Sequence, residues 1–312
     1  MLSRRNMLMA LPAALGCRGP LGDLWAAALG GAKRVAVVYP AALEPCVEAV
    51  EGLRLRLSGS ELAVDLLDVN EAALGGGAAQ EMPRRPAVIV AVGSDAVRAV
   101  LARESQIRTV STMTLEADRP AAASPARRVT GAVYLDIPIH TLVAELRKLF
   151  PAKTRVGVIR NPRRGGDLAF ESRGQMPDPG SLEIADCATA DELLPVFLAF
   201  RKKVDFVVCL PDGSLYNGAT ARPLIMASLE NRLPIVGFSP AFLRAGAAVA
   251  IYPDYRGVGR QTADLVRRCL EPGDCASWET PRKVAVAVNA KVLRMLGIDF
   301  EAAANPELVI LR

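Results

Sequence analysis

The groups with reactive chemistry in this 312-residue chain are few: one histidine, His140, and six cysteines, Cys17, Cys46, Cys187, Cys209, Cys269 and Cys275. No two cysteines form a CxxC pair, and a single histidine cannot complete the usual zinc or haem ligand sets. A catalytic serine or cysteine needs a base beside it, and His140 stands at the start of an amphipathic stretch with no evident nucleophile. The first apolar run continues as VAVVYPAALEP without GxGxxG, and no GxSxG elbow occurs. The sequence therefore predicts no catalytic residue, no metal and no cofactor. What it does offer is a set of small polar and aromatic residues at recurrent places: Tyr39, Ser94, Thr112, Asn161, Asp212, Phe238 and Ser239. Such groups hold a small molecule by hydrogen bonds and a flat apolar wall.

The elements that must position them alternate short apolar runs with amphipathic stretches, the pattern of parallel sheets wrapped by helices. Strands are predicted at 34–39, 62–67, 86–92, 107–112, 155–160, 182–185, 205–210 and 234–238. Cys46, Val47, Val50, Leu53 and Leu57 recur at helical spacing after Pro45, and further helices are expected near 191–201 and 221–231. In open α/β sheets ligands lie beyond the carboxyl ends of strands, where these polar residues fall. Gly93-Ser94 could present free N–H groups to an anion, or Asp95 could fill that role itself. A Pro-, Ala- and Ser-rich stretch at 116–128 is taken as the crossing between two lobes. The expected fold class is α/β, with two doubly wound parallel-sheet lobes and a hinge. The first lobe is expected at 33–128 with a return segment at 246–279, and the second at 129–245 with the C-terminal segment 280–312.

Composition limits the partners. Half the chain is apolar, 51%, enough for a large core, and charged residues are 23% with both signs interspersed. Of the net charge of +5, residues 1–32 carry +2 through Arg4, Arg5, Arg18 and Asp23. Arginine pairs such as Arg127-Arg128, Arg163-Arg164 and Arg267-Arg268 are scattered, so no nucleic-acid-binding face is expected. Arg4 and Arg5 before a ten-residue apolar run and small residues at 26–32 read as an export signal over 1–32, and SRRNMLM resembles a twin-arginine consensus. Cleavage would follow Ala28 or Ala32, while Ala14-Leu15-Gly16-Cys17 is a degenerate lipobox that would instead place a lipid anchor on Cys17. The compartment is then periplasmic or otherwise extracytoplasmic. There Cys269 and Cys275 could close a small loop as a disulfide or remain two thiols at a helix end; spacing leaves both open. Cys46 and Cys209 lie in apolar patterns and are expected to be buried.

VTGAVYLDIP at 129–138, LRKLFPAKTRVGVIRNP at 146–162, VDFVVCLPD at 204–212 and ENRLPIVGFSP at 230–240 together resemble the substrate-binding proteins of ABC transporters, the family that includes tryptophan- and tyrosine-binding lipoproteins. RAGAAVAIYPDYRGVGRQTADLVRRCL at 244–270 and VAVAVNAKVLRMLGI at 284–298 continue the match; the first lobe follows more loosely through PAVIVAVGSDAV. The resemblance implies a periplasmic-binding-protein fold closing on an amino-acid-like or carboxylate solute, and delivery to an ABC permease in the inner membrane by a monomer. Asp212 and Asp254 match acidic positions of the family pattern and become the main polar candidates, with helix capping or turn formation as their other roles. Tyr134 and Tyr255 join Tyr39 and Phe238 as a candidate aromatic wall. The chain departs from its relatives after Asn161-Pro162, where Arg163-Arg164-Gly165-Gly166-Asp167 stands, so an aromatic amino acid is not carried over; the two arginines face either solvent or a ligand carboxylate. A ligand sensor docked on a membrane receptor would need the same cleft, and an exported α/β enzyme is the remaining alternative.

Overall fold

The computed structural model describes residues 33–70, 86–102, 107–119, 129–153, 155–164 and 181–311. The expected export signal lies outside them.

β1 (Lys33–Tyr39) buries Val35 to Val38 on both faces, as a strand in the middle of a parallel sheet must. It pairs in parallel with β2 (Leu62–Asp68) on one side and β3 (Val88–Val92) on the other. β4 (Arg108–Thr114) and β5 (Val129–Tyr134) extend the sheet, and β11 (Ser277–Glu279) closes its far edge, giving the order β11-β5-β4-β3-β1-β2. α1 (Glu44–Leu57) carries proline in its first turn and turns Cys46, Ala49, Val50, Leu53 and Leu57 inward. α2 (Ser94–Leu101) packs beside β3. α7 (Tyr255–Leu270) returns late in the chain to lie against α1, and glycines make that approach possible. A β-carbon on Gly259 would stand 1.8 Å from the Ala49 carbonyl oxygen, and one on Gly52 would stand 2.1 Å from that of Arg256.

The second sheet has the order β13-β12-β10-β9-β8-β6-β7. It comprises β6 (Val156–Arg160), β7 (Leu182–Asp186), β8 (Phe206–Cys209), β9 (Ile235–Gly237), β10 (Val249–Pro253), β12 (Val284–Asn289) and β13 (Val309–Leu311). All pairings are parallel except β10 with β12. Its helices are α3 (Ile139–Leu149), α4 (Leu193–Ala199), α5 (Ala221–Glu230), α6 (Pro240–Ala245) and α8 (Ala290–Leu296). Each sheet has its own buried apolar core. Among the described residues no helix is long and apolar enough to cross a membrane.

The sheets place the crossings later than the sequence pattern suggested. β5 pairs in parallel with β4, with register shifts after Thr109 and Thr112, so the first crossing follows Tyr134 and not Arg128. The Pro-, Ala- and Ser-rich stretch lies between two strands of one sheet. Likewise β10 belongs to the second sheet, so the return to the first begins at Asp254 and not at Gly246. The third crossing, between β11 and β12, is tied down by buried Gln261 of α7. Its amide donates to the Glu279 carboxylate at 2.7 Å and the Thr280 carbonyl at 2.9 Å, and its oxygen accepts the Arg282 N–H at 3.1 Å. Cys269 and Cys275 are joined by a disulfide with their α-carbons 5.0 Å apart. Arg108 clamps the loop they close, donating to the carbonyls of Cys269, Glu271 and Gly273. Cys46 and Cys209 are buried thiols, which burial pushes up to about 11 and about 12.

Candidate functional site

Beyond the carboxyl end of β8 the chain turns sharply through Pro211-Asp212-Gly213-Ser214. Asp212 holds the turn: its Oδ1 accepts the Ser214 N–H at 2.8 Å and the Ser214 hydroxyl at 2.6 Å. Beyond the neighbouring β6, Asn161 donates from Nδ2 to Asp212 Oδ2 at 2.8 Å and to Ser214 Oγ at 3.2 Å. The Asn161 Oδ1 accepts the Arg163 N–H at 2.9 Å, which bends the loop so that Arg164 can reach the same carboxylate, Nη1 to Asp212 Oδ1 at 3.2 Å. Asp212 is only 6% exposed. Burial opposes its ionisation, but the hydrogen bonds from Ser214, Asn161 and Arg164 outweigh that and hold its carboxyl below the usual range.

The first sheet meets this cluster through Arg164. Its Nη2 donates to Asp118 Oδ1 at 2.5 Å, and Asp118 sits in a single 3-10 turn, Glu116–Asp118, beyond β4. That turn is fixed from two sides. Asp136, just past β5, accepts the Glu116 N–H at 2.7 Å, and the Arg119 guanidinium lies 3.7 Å from the centre of the Trp278 ring. Burial, reinforced by the charges of Glu116 and Asp118 and only partly relieved by the Glu116 N–H, pushes Asp136 up to about 6. One guanidinium thus bridges carboxylates of the two sheets, and beside it three acidic groups crowd one edge of the first.

Of the residues expected at the cleft, Asn161 and Asp212 come together; several others do not join them. The Thr112 side chain is 1% exposed and hydrogen-bonded at 2.9 Å to Thr262 of α7, inside the first layer pair. Tyr134 is likewise 1% exposed, its ring stacked on Trp278 at 6.2 Å. Ser239 caps α6 through the Phe242 N–H at 3.2 Å, and Asp254 caps α7 through the Gly257 N–H at 3.0 Å while pairing with Arg260 at 3.1 Å. For these two the capping role is the one observed. Phe238 packs on Tyr216 and Phe242 beneath the Asp212 turn, and Tyr255 stacks near Tyr252 at 5.8 Å. Tyr39 ends β1 half-buried against the first core, and Ser94 opens α2 after Gly93, whose φ of 85° only glycine adopts at little cost. Arg163 is exposed and Arg164 is turned in, so the pair has two separate fates.

Sequence reasoning missed Asp118, Asp136 and Ser214. The rule that found the others, polar residues just beyond strands, reaches Asp136 once β5 is seen to end at Tyr134. Asp118 was hidden in the stretch taken as an interlobe crossing. Among the described residues no group of three or more histidine, cysteine or acidic side chains is placed to hold a metal ion.

The model of the family described as ABC transporter substrate binding protein matches residues 78–304. No curated protein matches the chain. Three solved structures share its fold at low identity. The ligand-free, open structure of a substrate binding protein with adhesive properties from Clostridium difficile is 14% identical, with a TM-score of 0.64 over 90% of this chain and 99% of that one. An ABC domain in complex with L-Trp from Streptococcus pneumoniae is 14% identical, with a TM-score of 0.54 over 89% and 99%. An arabinose binding protein from Geobacillus stearothermophilus is 14% identical, with a TM-score of 0.53 over 81% and 96%. With two mostly parallel sheets, a cross-sheet polar cluster at their strand ends and a family match over most of its length, the chain belongs to the ABC transporter substrate-binding proteins.

Proposed function

We propose that this chain captures a small amino-acid-like solute bearing a carboxylate, in the cleft between its two lobes, and hands it to an inner-membrane ABC permease from the periplasm as a monomer. The observation that carries the reading is the placement of Arg164 between Asp212 and Asp118. A guanidinium has five N–H donors in a planar fork, and Arg164 uses one nitrogen on each carboxylate, which leaves donors for a solute carboxylate. Asp212 already receives four hydrogen bonds, so a solute ammonium has its better partners on the first lobe. There Asp136 is pushed up to about 6 by burial and by its acidic neighbours, and an incoming cation would relieve that repulsion. The cleft thus offers opposite charges from opposite lobes, and a zwitterion that meets both favours the closed arrangement over the open one.

A thermal-shift panel of amino acids, their derivatives, small carboxylates and sugars tests this on the native protein. Hits should carry a carboxylate, and at a hundred times Kd a hit adds about 2.7 kcal/mol to stability. Arg164→Met should abolish most of the shift. A panel in which only neutral sugars stabilise the protein would overturn the solute class.

A further inference from the structure

At the opposite end of the second sheet, away from Asn161 and Asp212, lies a groove of about 550 Å³. It opens at the amino ends of β6, β8 and β9, over a floor that includes buried Leu233 and Leu296. Four cations reach its rim, Lys153, Arg201, Lys202 and Arg232, against two carboxylates, Asp205 and Glu230. Asp205 is committed elsewhere, accepting the Arg155 N–H at 2.9 Å and pairing with the Arg155 guanidinium at 3.6 Å. Arg201 uses one nitrogen on Asn231 at 3.3 Å. Among the described residues Lys153, Lys202 and Arg232 have no side-chain partner.

The backbone supplies an independent sign. Lys202 has φ 65° and Arg232 has φ 51°, two of the three non-glycine residues with positive φ among those described. Both follow helix ends, after α4 and α5, at left-handed positions where a β-carbon is crowded and glycine is the ordinary occupant. The third helix end on this groove obeys that rule, with Gly297 at φ 70° closing α8. A cation also complements the helix dipole, but a position in the last turn serves that purpose without left-handed backbone, as Arg294 does in α8. The chain therefore gives up glycine at two ends and places a cationic residue on the lining of the groove at each.

We propose that this groove is an anion site of the second lobe, separate from the solute cleft, and that it takes a phosphomonoester. A compact dianion can meet Lys153, Lys202 and Arg232 together through charge-assisted hydrogen bonds, whereas a single carboxylate would leave part of that charge unmatched. The volume leaves room for an organic portion over the apolar floor. The phosphomonoester could belong to a free metabolite or to a lipid headgroup.

The test is calorimetric titration of the full chain with inorganic phosphate and glycerol phosphate. It is paired with co-sedimentation on phosphatidylcholine vesicles with and without phosphatidic acid. Lys202→Gly and Arg232→Gly suit the left-handed backbone, so both should fold with a melting temperature equal to or above that of the parent. Each should weaken binding about tenfold or more. Glu230→Gln removes the uncommitted carboxylate on the rim and should tighten it. Binding to the soluble anions alone assigns a free ester, and binding to acidic vesicles alone assigns a headgroup. No binding to either probe, or equal affinity in the glycine variants and the parent, overturns the site.

Discussion

Asp136→Asn should make the solute-free protein more stable at neutral pH. Burial is the main reason that the Asp136 carboxyl is pushed from 3.8 to about 6, with Glu116 and Asp118 adding repulsion. Below about pH 4 the carboxyl is protonated in both the folded and unfolded chain, and its stabilising contribution is fully present. Between about pH 4 and pH 6 the unfolded chain ionises first, so that contribution is lost as pH rises through the folded value. At about 1.4 kcal/mol per pH unit the whole shift corresponds to roughly 3 kcal/mol, and partial solvent access reduces it to about 1–2. An asparagine oxygen can still accept the Glu116 N–H, which stands 2.7 Å from the native carboxylate, so the turn is kept. Urea unfolding at pH 4, 5, 6 and 7 should show a variant advantage that grows with pH. An advantage that is constant across that range, or a parent more stable at pH 7, would refute the electrostatic account of this edge.

The partner carboxylate behaves in the opposite sense. Asp212→Asn should cost about 2 kcal/mol at pH 7, because a neutral amide cannot accept from Ser214, Asn161 and Arg164 together, and the loss should shrink in acid as the native carboxyl protonates; a pH-independent difference in chemical denaturation would contradict it. Gly259→Ala should lower the melting temperature sharply, at about 3 kcal/mol or more, since its methyl would meet the Ala49 carbonyl oxygen at 1.8 Å and force α1 from α7; an unchanged melt would mean that the helices do not approach so closely. Reducing Cys269–Cys275, a closure over six residues, should cost about 2 kcal/mol and is checked by unfolding with and without reductant.

β1 to β4 and β6 to β9 were legible because parallel strands buried on both faces leave continuous apolar runs such as Val35 to Val38 and Val88 to Val92; their order within each sheet was not. The crossings were not legible either, because a Pro-, Ala- and Ser-rich sequence is equally compatible with a link within a sheet and one between sheets; only the pairing of β5 with β4 distinguishes the two. Of the residues named beyond strands, Asn161 and Asp212 come together, whereas Thr112 turns into the first layer and Ser239 caps a helix, as does Asp254 from the family pattern. A polar residue after a strand is also the natural cap of the next helix, and both outcomes have the same local sequence. Asp212 was named as a polar candidate of the cleft with turn formation as its other role, and it holds a turn. Its four donors, two from Ser214 in its own turn and one each from the distant Asn161 and Arg164, make it part of the fold as well.

The two-lobe capture reading is tested most directly by hydrogen exchange of the native protein, alone and saturated with the best carboxylate from the panel. Protection should rise together on both lobes, at 114–119 and 134–138 in the first and at 160–164 and 210–216 in the second. Protection confined to one lobe, or found only away from these strand ends, would contradict it.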